Sequence, residues 1–296
     1  MNYYDEIKNE LINNEITKKI KDYSKNKSDL TTYYNVGKLL AEAGKHYGEG
    51  IIKEYSDRLS SELNIKYSVR TLYKIIKYFN YMNKQKVPTV SAKLSWSHYD
   101  ELLKLTDENI INYYIKISEE QNLSVRELRK KIKSNEYERL DEETKKKLKN
   151  KEELKVPDLV KNPIQIRNTN DYNEISEKTL QKLILEDIPS FLKELGSGFS
   201  FIDNEYKIKM GDRYNYIDLL LFNIEYNCYV VIELKVTELK KEHVGQIQVY
   251  MNYIYNNLKK IGQDKTIGII ICKKENKYII EYCSDDRIIS REYELV

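Results

Sequence analysis

Three charged side chains stand in two strand-like segments of the C-terminal half that are otherwise largely apolar. Asp218 is the single acid in residues 216–222, where an unpaired carboxylate would be costly unless it bound a cation or a strong hydrogen-bond donor. In residues 229–235, Glu233 and Lys235 are two positions apart, so strand alternation places both side chains on one face. This pattern favours a reaction site, and a structural ion pair is the alternative.

The two acids have the separation expected of neighbouring antiparallel strands. A turn at residues 225–227 would bring Asp218 and Glu233 together, so that both carboxylates could converge on one ion. Hard oxygen ligands suit Mg²⁺ or Mn²⁺. An ion held in this way could neutralise a phosphate and activate a water for phosphodiester hydrolysis, and Lys235 would orient that water or stabilise the developing negative charge.

These residues carry a resemblance to a known signature. Ile217-Asp218 followed by Glu233-Leu234-Lys235 resembles the PD-(D/E)xK nuclease motif, with isoleucine in place of the nominal proline. Downstream, Gln246 and Tyr250 resemble the Gln-x-x-x-Tyr element of the nuclease families related to RecB and the archaeal Holliday-junction resolvases. Residues four apart share one face of a helix. The resemblance implies contact with phosphate or the attacking water, and ordinary polar packing is the alternative.

A longer resemblance covers residues 34–282, which are similar to the YhcG-type family of nucleases. It rests on the stretches 94–98, 124–128, 191–199 and 228–235. The family joins a helical N-terminal domain to a PD-(D/E)xK domain, and the resemblance implies a further acid on the first helix of that second domain. Gln181 stands near the corresponding place, and the acids that could substitute for it are Glu177, Glu186 and Asp187.

The apolar periodicity predicts an α+β protein with two domains. Residues 1–140 read as an all-helical, DNA-binding domain with helix-turn-helix-like elements, and residues 141–162 as a charged linker. Residues 163–296 are predicted to form a restriction-endonuclease-like α/β domain with a mixed sheet. Its predicted elements are a helix over 176–195 that Pro189 should kink or split, strands over 199–210, 214–222 and 228–236, a helix over 240–258, and strands over 266–272 and 277–282.

Two helices of the N-terminal half have a basic face. Ser68 and Ser124 precede near-identical segments and stand where N-caps belong, and Ser124 with Glu127 forms a capping box. The first helix follows another helix after a short connection, which gives the length of a helix-turn-helix. We predict phosphate contacts from these faces, and solvated lysine-rich faces are the alternative. The predicted nucleic-acid-binding residues are Arg70, Lys74, Lys77, Arg126, Lys130 and Lys133.

The bulk composition sets limits without identifying a partner. The net charge of +3 is too small to argue for nucleic acid by itself. The apolar runs are too short to cross a bilayer and the N-terminus has no secretory pattern, so we expect a cytoplasmic location and no membrane partner. The three cysteines are predicted to be small buried thiols. Trp96 and His98 are expected to be a packed aromatic and a helix-cap partner.

The combined expectation is a nuclease that uses Mg²⁺ or Mn²⁺ and acts on nucleic acid, with DNA favoured, as an endonuclease. The alternative is a nuclease-like scaffold that binds DNA or regulates without cutting. A third interpretation is a structural interaction protein whose basic helices are only solvated faces. The sequence leaves open DNA against RNA, the preferred DNA structure, and whether two copies form a homodimer.

Overall fold

The computed structural model describes residues 3–19, 25–48, 50–85, 93–150, 152–170, 172, 175–283 and 285–296, with the backbone alone for 16–19 and 25–28. The chain divides into two compact units, Met1–Ser134 and Asn135–Val296, called here the N-terminal and C-terminal units. In the residues described, no helix combines the length and hydropathy that a bilayer crossing needs.

The N-terminal unit is helical over its described residues, as predicted. Its helices are α1 (Tyr3–Lys19), α2 (Lys25–Tyr47), α3 (Gly50–Leu63), α4 (Val69–Gln85), α5 (Trp96–Leu102), α6 (Glu108–Glu120) and α7 (Val125–Lys133). Leu40 of α2, Leu59 of α3 and Ile75 of α4 are fully buried in a shared core. Helices α2, α3 and α4 therefore pack together through their apolar faces.

Helices α2 and α4 approach closely at a glycine. A Cβ added at Gly37 would lie 2.6 Å from the carbonyl oxygen of Ile75 and 2.7 Å from the Cβ of Phe79. The start of α4 is fixed by Ser68, whose hydroxyl accepts from the Thr71 N–H at 3.2 Å. The predicted N-cap of α4 is therefore present. Helix α4 packs closely against α2 because Gly37 has no side chain at the contact.

The predicted structural role of Trp96 and His98 is confirmed. His98 Nδ1 lies 3.1 Å from the backbone N of Ser95 and closes the N-terminus of α5, while Nε2 lies 2.9 Å from the Leu123 carbonyl oxygen. The Trp96 ring packs at 4.6 Å from the ring of Tyr33. Both ring nitrogens of His98 are thus used in holding α5 in place.

The C-terminal unit combines helices with a six-stranded sheet. Its elements are α8 (Glu142–Asn150), α9 (Val156–Leu159), β1 (Ile164–Ile166), α10 (Glu177–Glu186), α11 (Ile188–Leu195), β2 (Phe199–Met210), β3 (Arg213–Asn223), β4 (Cys228–Glu238), α12 (Lys241–Asn257), β5 (Ile267–Lys274), α13 (Lys277–Glu281) and β6 (Ile288–Leu295). Cys228 and Cys272 are buried and Cys283 is half-buried, and all three are free thiols.

The sheet is mixed, as predicted, with strand order β1-β6-β5-β4-β3-β2. Strands β2, β3 and β4 are antiparallel neighbours, whereas β4, β5, β6 and β1 are paired in parallel. One core holds Leu180 and Ile184 of α10 with Ile232 of β4. A second core holds Ile247 and Met251 of α12 with other sheet residues. The strand β4, which carries Glu233 and Lys235, is therefore central.

One element prediction in this unit is wrong, one is confirmed and two strands were not predicted. Residues 277–282 were predicted as a strand but form α13, because adjacent Ile279 and Ile280 both pack on one core, which a helix allows and strand alternation does not. The predicted split of the helix over 176–195 is confirmed, since Asp187 ends α10 and caps α11, with Pro189 in the first turn of α11. The three-residue strand β1 and the strand β6 were not predicted.

The segment predicted as a charged linker, residues 141–162, is folded. Asp141 caps α8 by accepting from the Thr144 N–H at 2.7 Å, and Lys147 Nζ lies 2.9 Å from Asp158 Oδ1. The Arg291 guanidinium of β6 donates to the Val160 carbonyl at 2.8 Å. The segment belongs to the C-terminal unit, which begins at Asn135, whereas the sequence predicted a domain beginning at residue 163.

Candidate active site

Asp218 and Glu233 are brought together by the pairing of β3 with β4. The antiparallel register pairs Leu219 with Ile232, and one further step along the strands sets Asp218 opposite Glu233. The Leu234 N–H donates to Asp218 Oδ2 at 2.7 Å, so the carboxylate leans towards β4. The two acids that the sequence analysis singled out therefore stand side by side on neighbouring strands.

Lys235 is held against Glu233, as alternation along β4 requires. Its Nζ lies 2.8 Å from Glu233 Oε1. Glu233 is 1% exposed and Lys235 is 8% exposed. The second carboxylate oxygen, Glu233 Oε2, is buried and has no hydrogen-bond partner within the described part of the chain. A buried carboxylate oxygen without a partner is costly, so this atom requires a cation or a donor that the protein does not supply.

Helix α10 contributes two side chains from one face. Glu177 Oε2 lies 3.6 Å from Lys235 Nζ, and Gln181, one turn later, donates through Nε2 to the Asp218 carbonyl oxygen at 3.1 Å. The other two acids left open by the sequence are occupied elsewhere: Glu186 binds the Thr169 hydroxyl at 2.9 Å, and Asp187 caps α11. Glu177 is therefore the acid of this helix that lies beside the site.

Burial and mutual repulsion set the protonation of the acids. Burial, together with the charge of Asp218, raises the pKa of Glu233 to about 7. Burial also raises the pKa of Asp218, against the opposing hydrogen bond from Leu234. Burial alone would lower the pKa of Lys235, but the hydrogen bond and charge of Glu233, with Glu177, outweigh it, and its pKa is raised. At neutral pH Lys235 is therefore charged, and the raised pKa values of Asp218 and Glu233 favour the protonated form of these acids when no cation is bound.

Helix α12 carries Gln246 and Tyr250, which contact each other. Gln246 Nε2 lies 3.1 Å from Tyr250 Oη, and Tyr250 is buried in the core beneath α12. Within the described residues, neither side chain hydrogen-bonds to Asp218, Glu233 or Lys235. The shared helical face is present, but the protein's own contacts leave both residues outside the hydrogen-bonded group around Lys235.

His243, in the first turn of α12, is a site neighbour that the sequence analysis missed. Burial lowers its pKa, as do the positive charges of Lys235 and Lys240. Its Nδ1 accepts from the Lys240 N–H at 3.2 Å, so Nε2 is the ring nitrogen that this hydrogen bond does not use. The signal that could have found it is its place in the sequence, at the start of the helix that follows the Glu-x-Lys strand.

The donor set fits a hard divalent cation. Asp218 and the unpartnered Glu233 Oε2 supply carboxylate oxygens, which Mg²⁺ and Mn²⁺ prefer. Among the described residues, no group of three or more His, Cys, Asp or Glu side chains is arranged as metal ligands. Mg²⁺ can be held by one or two carboxylates, with water and substrate oxygens completing its coordination.

The predicted nucleic-acid-binding residues of the N-terminal unit fall into two groups. Lys74 forms an ion pair with Asp100, and Lys77 donates to the Leu103 carbonyl oxygen, so both cations are used inside the unit. The other four side chains are exposed: Arg70, Arg126, Lys130 and Lys133. The basic face of α4 is therefore smaller than its sequence suggested, because helical phase does not show what lies opposite each lysine.

Comparisons with known proteins agree with the two units. Residues 158–295 match the model of the YhcG PDDEXK nuclease domain, and residues 9–139 match that of the DUF1016 N-terminal domain. The Escherichia coli (strain K12) protein YhcG is 24% identical over 219 residues, which are 70% of this chain and 58% of that protein. Endonuclease NucS of Methanocaldococcus jannaschii is 34% identical over 125 residues, 41% of this chain and 43% of that protein.

The chain thus spans less than two thirds of the length of these relatives. Two solved structures also match in part. A repair endonuclease from Pyrococcus abyssi is 20% identical, with 43% of this chain and 49% of that chain covered and a TM-score of 0.29. The structure of a complex of EndoMS with double-stranded DNA is 21% identical, with 43% and 48% covered and a TM-score of 0.29.

Proposed function

Because the chain belongs to the YhcG-type family, in which a DUF1016 N-terminal domain precedes a YhcG PDDEXK nuclease domain, we propose that it hydrolyses phosphodiester bonds of DNA as an endonuclease dependent on Mg²⁺ or Mn²⁺. The observation that carries the proposal is the pair of acids in which the buried Glu233 Oε2 has no partner among the described residues and Asp218 lies beside it. Neither hydrophobic packing nor an ion pair alone explains why a buried carboxylate oxygen is left without a partner.

The site residues have separate roles in the proposed reaction. Asp218 and Glu233 hold the metal ion, which when bound neutralises phosphate charge and lowers the pKa of a water molecule. Lys235 keeps its proton beside Glu233 and offers an ammonium group to the attacking water or to the developing negative charge on phosphate. Glu177 positions that ammonium group from α10. Gln246 and Tyr250 contact the substrate phosphate from α12.

Two observations support a nucleic-acid substrate, which we take to be DNA. The exposed cations of α7, together with Arg70 of α4, offer phosphate contacts in the N-terminal unit. The relative from Methanocaldococcus jannaschii is named an endonuclease. We assign binding to the N-terminal helices and cleavage to the C-terminal unit, whose mixed sheet carries the acids.

A cleavage assay tests the proposal. Labelled duplex, single-stranded and branched DNA, with RNA for comparison, are incubated with the full chain with and without Mg²⁺ or Mn²⁺. We expect metal-dependent products that are lost in Asp218→Ala and Glu233→Ala, and retained in Glu281→Ala, which removes an exposed acid from α13. Equal cleavage by all variants would refute the site. Metal-independent DNA binding with no product from any substrate would support the alternative of a binding protein that does not cut.

A further inference from the structure

The outer part of the β2–β3 hairpin has one face that no other part of the described chain covers. Lys207 is paired with Tyr216, and Lys209 with Tyr214, so these four side chains emerge on the same side; they are called here the hairpin face. Alternate residues of the same strands, such as Ile208 and Ile217, are fully buried in the core on the opposite side. The hairpin is thus anchored by one face and open on the other.

The hairpin face combines aromatic rings with cations. Tyr214 is 54% exposed and Tyr216 is 51% exposed. Lys207 Nζ lies 3.9 Å from the centroid of the Tyr214 ring, which is a cation–π contact. Within the described residues, the Lys209 and Tyr216 side chains have no hydrogen bond or ion pair. Two acids lie at the ends of the face, Asp212 at the tip and Glu205 towards the sheet.

The hairpin face leads towards the proposed metal site. Tyr214, Tyr216 and Asp218 follow one another at intervals of two along β3, and each interval spans roughly 6.6 Å of strand. Beside β2 at this level lies a groove of about 640 Å³ whose lining includes Asn204 of β2 and Gln181 of α10. Gln181 is the residue that donates to the Asp218 carbonyl. The exposed rings and the groove therefore both lie near Asp218.

We propose that the hairpin face binds an unpaired segment of DNA and leads it to the Asp218–Glu233 site, so that the substrate class is DNA with a single-stranded portion. Tyrosine rings that stand free above a strand can stack on bases only where the base faces are accessible, and in a duplex those faces are covered by neighbouring base pairs. The lysines between the rings can contact the phosphates of the same strand. Stacking of this kind tolerates any base, so no sequence preference follows.

This inference rests on the proposed function for its choice of DNA, but its test does not use cleavage. The full chain is titrated in EDTA against labelled single-stranded DNA of about 20 nucleotides, the matching duplex, and the same single strand as RNA, with fluorescence anisotropy as the readout. The variants are Tyr214→Ala/Tyr216→Ala and Tyr214→Phe/Tyr216→Phe. The matched control is Tyr278→Ala/Tyr282→Ala, which removes two rings of the same unit that are 73% and 81% exposed.

We expect the wild-type chain to bind single-stranded DNA more tightly than the duplex, and the alanine pair to weaken single-strand binding by about tenfold or more while duplex binding changes less. The phenylalanine pair and the control should bind as the wild type. Unchanged single-strand binding by a folded alanine pair, or tighter binding of RNA than of DNA, would overturn the inference. If single-strand binding depends on Tyr214 and Tyr216 but no cleavage occurs in Mg²⁺, the proposed function is refuted, whereas the proposed role of the hairpin face is not.

Discussion

At the scale of single residues, the Asp218–Glu233 pair is unfavourable for the protein in the absence of a cation. Glu233 is almost fully buried, and one of its oxygens has no partner among the described residues. Lys235 compensates one carboxylate only, since its ammonium group is shared between Glu233 and Glu177. An arrangement of this kind is retained where the charge is needed for binding or catalysis, because a well-packed apolar residue would be as stable or more stable.

The pH dependence of the metal-free protein follows from the raised pKa of Asp218. Because its pKa is higher in the folded than in the unfolded chain, its contribution to stability is complete below the ordinary aspartate pKa and is lost as pH rises through the folded value. In EDTA at pH 8, Asp218→Asn should therefore raise the free energy of unfolding on the order of 1 kcal/mol, or about 2–4 °C in Tm. The gain should shrink towards pH 5 in thermal melts.

Asp285 provides a control with the opposite sign. Its pKa is lowered by the hydrogen bond from Arg287, whose Nε lies 2.8 Å from Asp285 Oδ1. Asp285→Asn should lower Tm at pH 8, where the aspartate is charged and paired. A lower Tm for Asp218→Asn at every pH would contradict the electrostatic interpretation of the site.

Glu177 is predicted to act through Lys235. Glu177→Gln should reduce metal-dependent cleavage by about 10- to 100-fold, the usual effect of losing a group that orients a metal-site residue. Because the charge of Glu177 raises the pKa of Glu233, the acidic limb of the pH–rate profile should also move to lower pH. Glu186→Gln, on the same helix, should change neither the rate nor the profile. An unshifted profile for Glu177→Gln would contradict the assigned role.

At the scale of elements, the seating of α4 on α2 depends on Gly37. Gly37→Ala would place a Cβ against the backbone of Ile75, so we expect a loss of about 1–3 kcal/mol in the free energy of unfolding. Gly44→Ala is the matched control, because it lies on the same helix with nothing within 4 Å of the added Cβ. It should be neutral or stabilise by about 0.5–1 kcal/mol. Equal effects in chemical denaturation would contradict the close contact.

The elements that sequence predicted best are the long strands at the centre of the motif. Strands β2, β3 and β4 are eleven or twelve residues long, so their position was predictable, and strand geometry then places Glu233 and Lys235 on one face. Helix α13 was missed because Tyr278-Ile279-Ile280 fits either a strand or a short helix, and only packing decides between them. The three residues of β1 are too few to show a period.

The parts of the site that sequence left open depend on how α10 and α12 dock on the sheet. Glu177, Glu186 and Asp187 were all left open along the chain, because the break at Asp187 spoils the helical phase that would rank them. His243 approaches Lys235 only through the packing of α12. In the N-terminal unit, the sequence predicts a phosphate contact for Lys74, whereas the structure pairs it with Asp100 of α5. Tertiary contacts decide each of these assignments.

At the scale of the whole molecule, the chain joins a helical unit with exposed cations to a unit that carries the acids. The triple variant Arg126→Ala/Lys130→Ala/Lys133→Ala removes three cations of α7 and should weaken DNA binding. The slope of log K against log salt concentration should become shallower by up to about two to three. The matched control, Lys38→Ala/Lys45→Ala/Lys53→Ala, removes three exposed cations from α2 and α3. Filter binding across salt concentrations should show no comparable change in its slope. Identical slopes for both triple variants would count against α7 as the binding surface.

The central claim is that Asp218 and Glu233 hold one divalent ion between β3 and β4. Crystals of the full chain soaked in Mn²⁺ and measured at the manganese edge test this claim most directly. We predict an anomalous difference peak at about 2.0–2.3 Å from a carboxylate oxygen of Asp218 and from Glu233 Oε2, and no such peak in Asp218→Asn. A wild-type map without a peak at these oxygens, or an equal peak in Asp218→Asn, would contradict it.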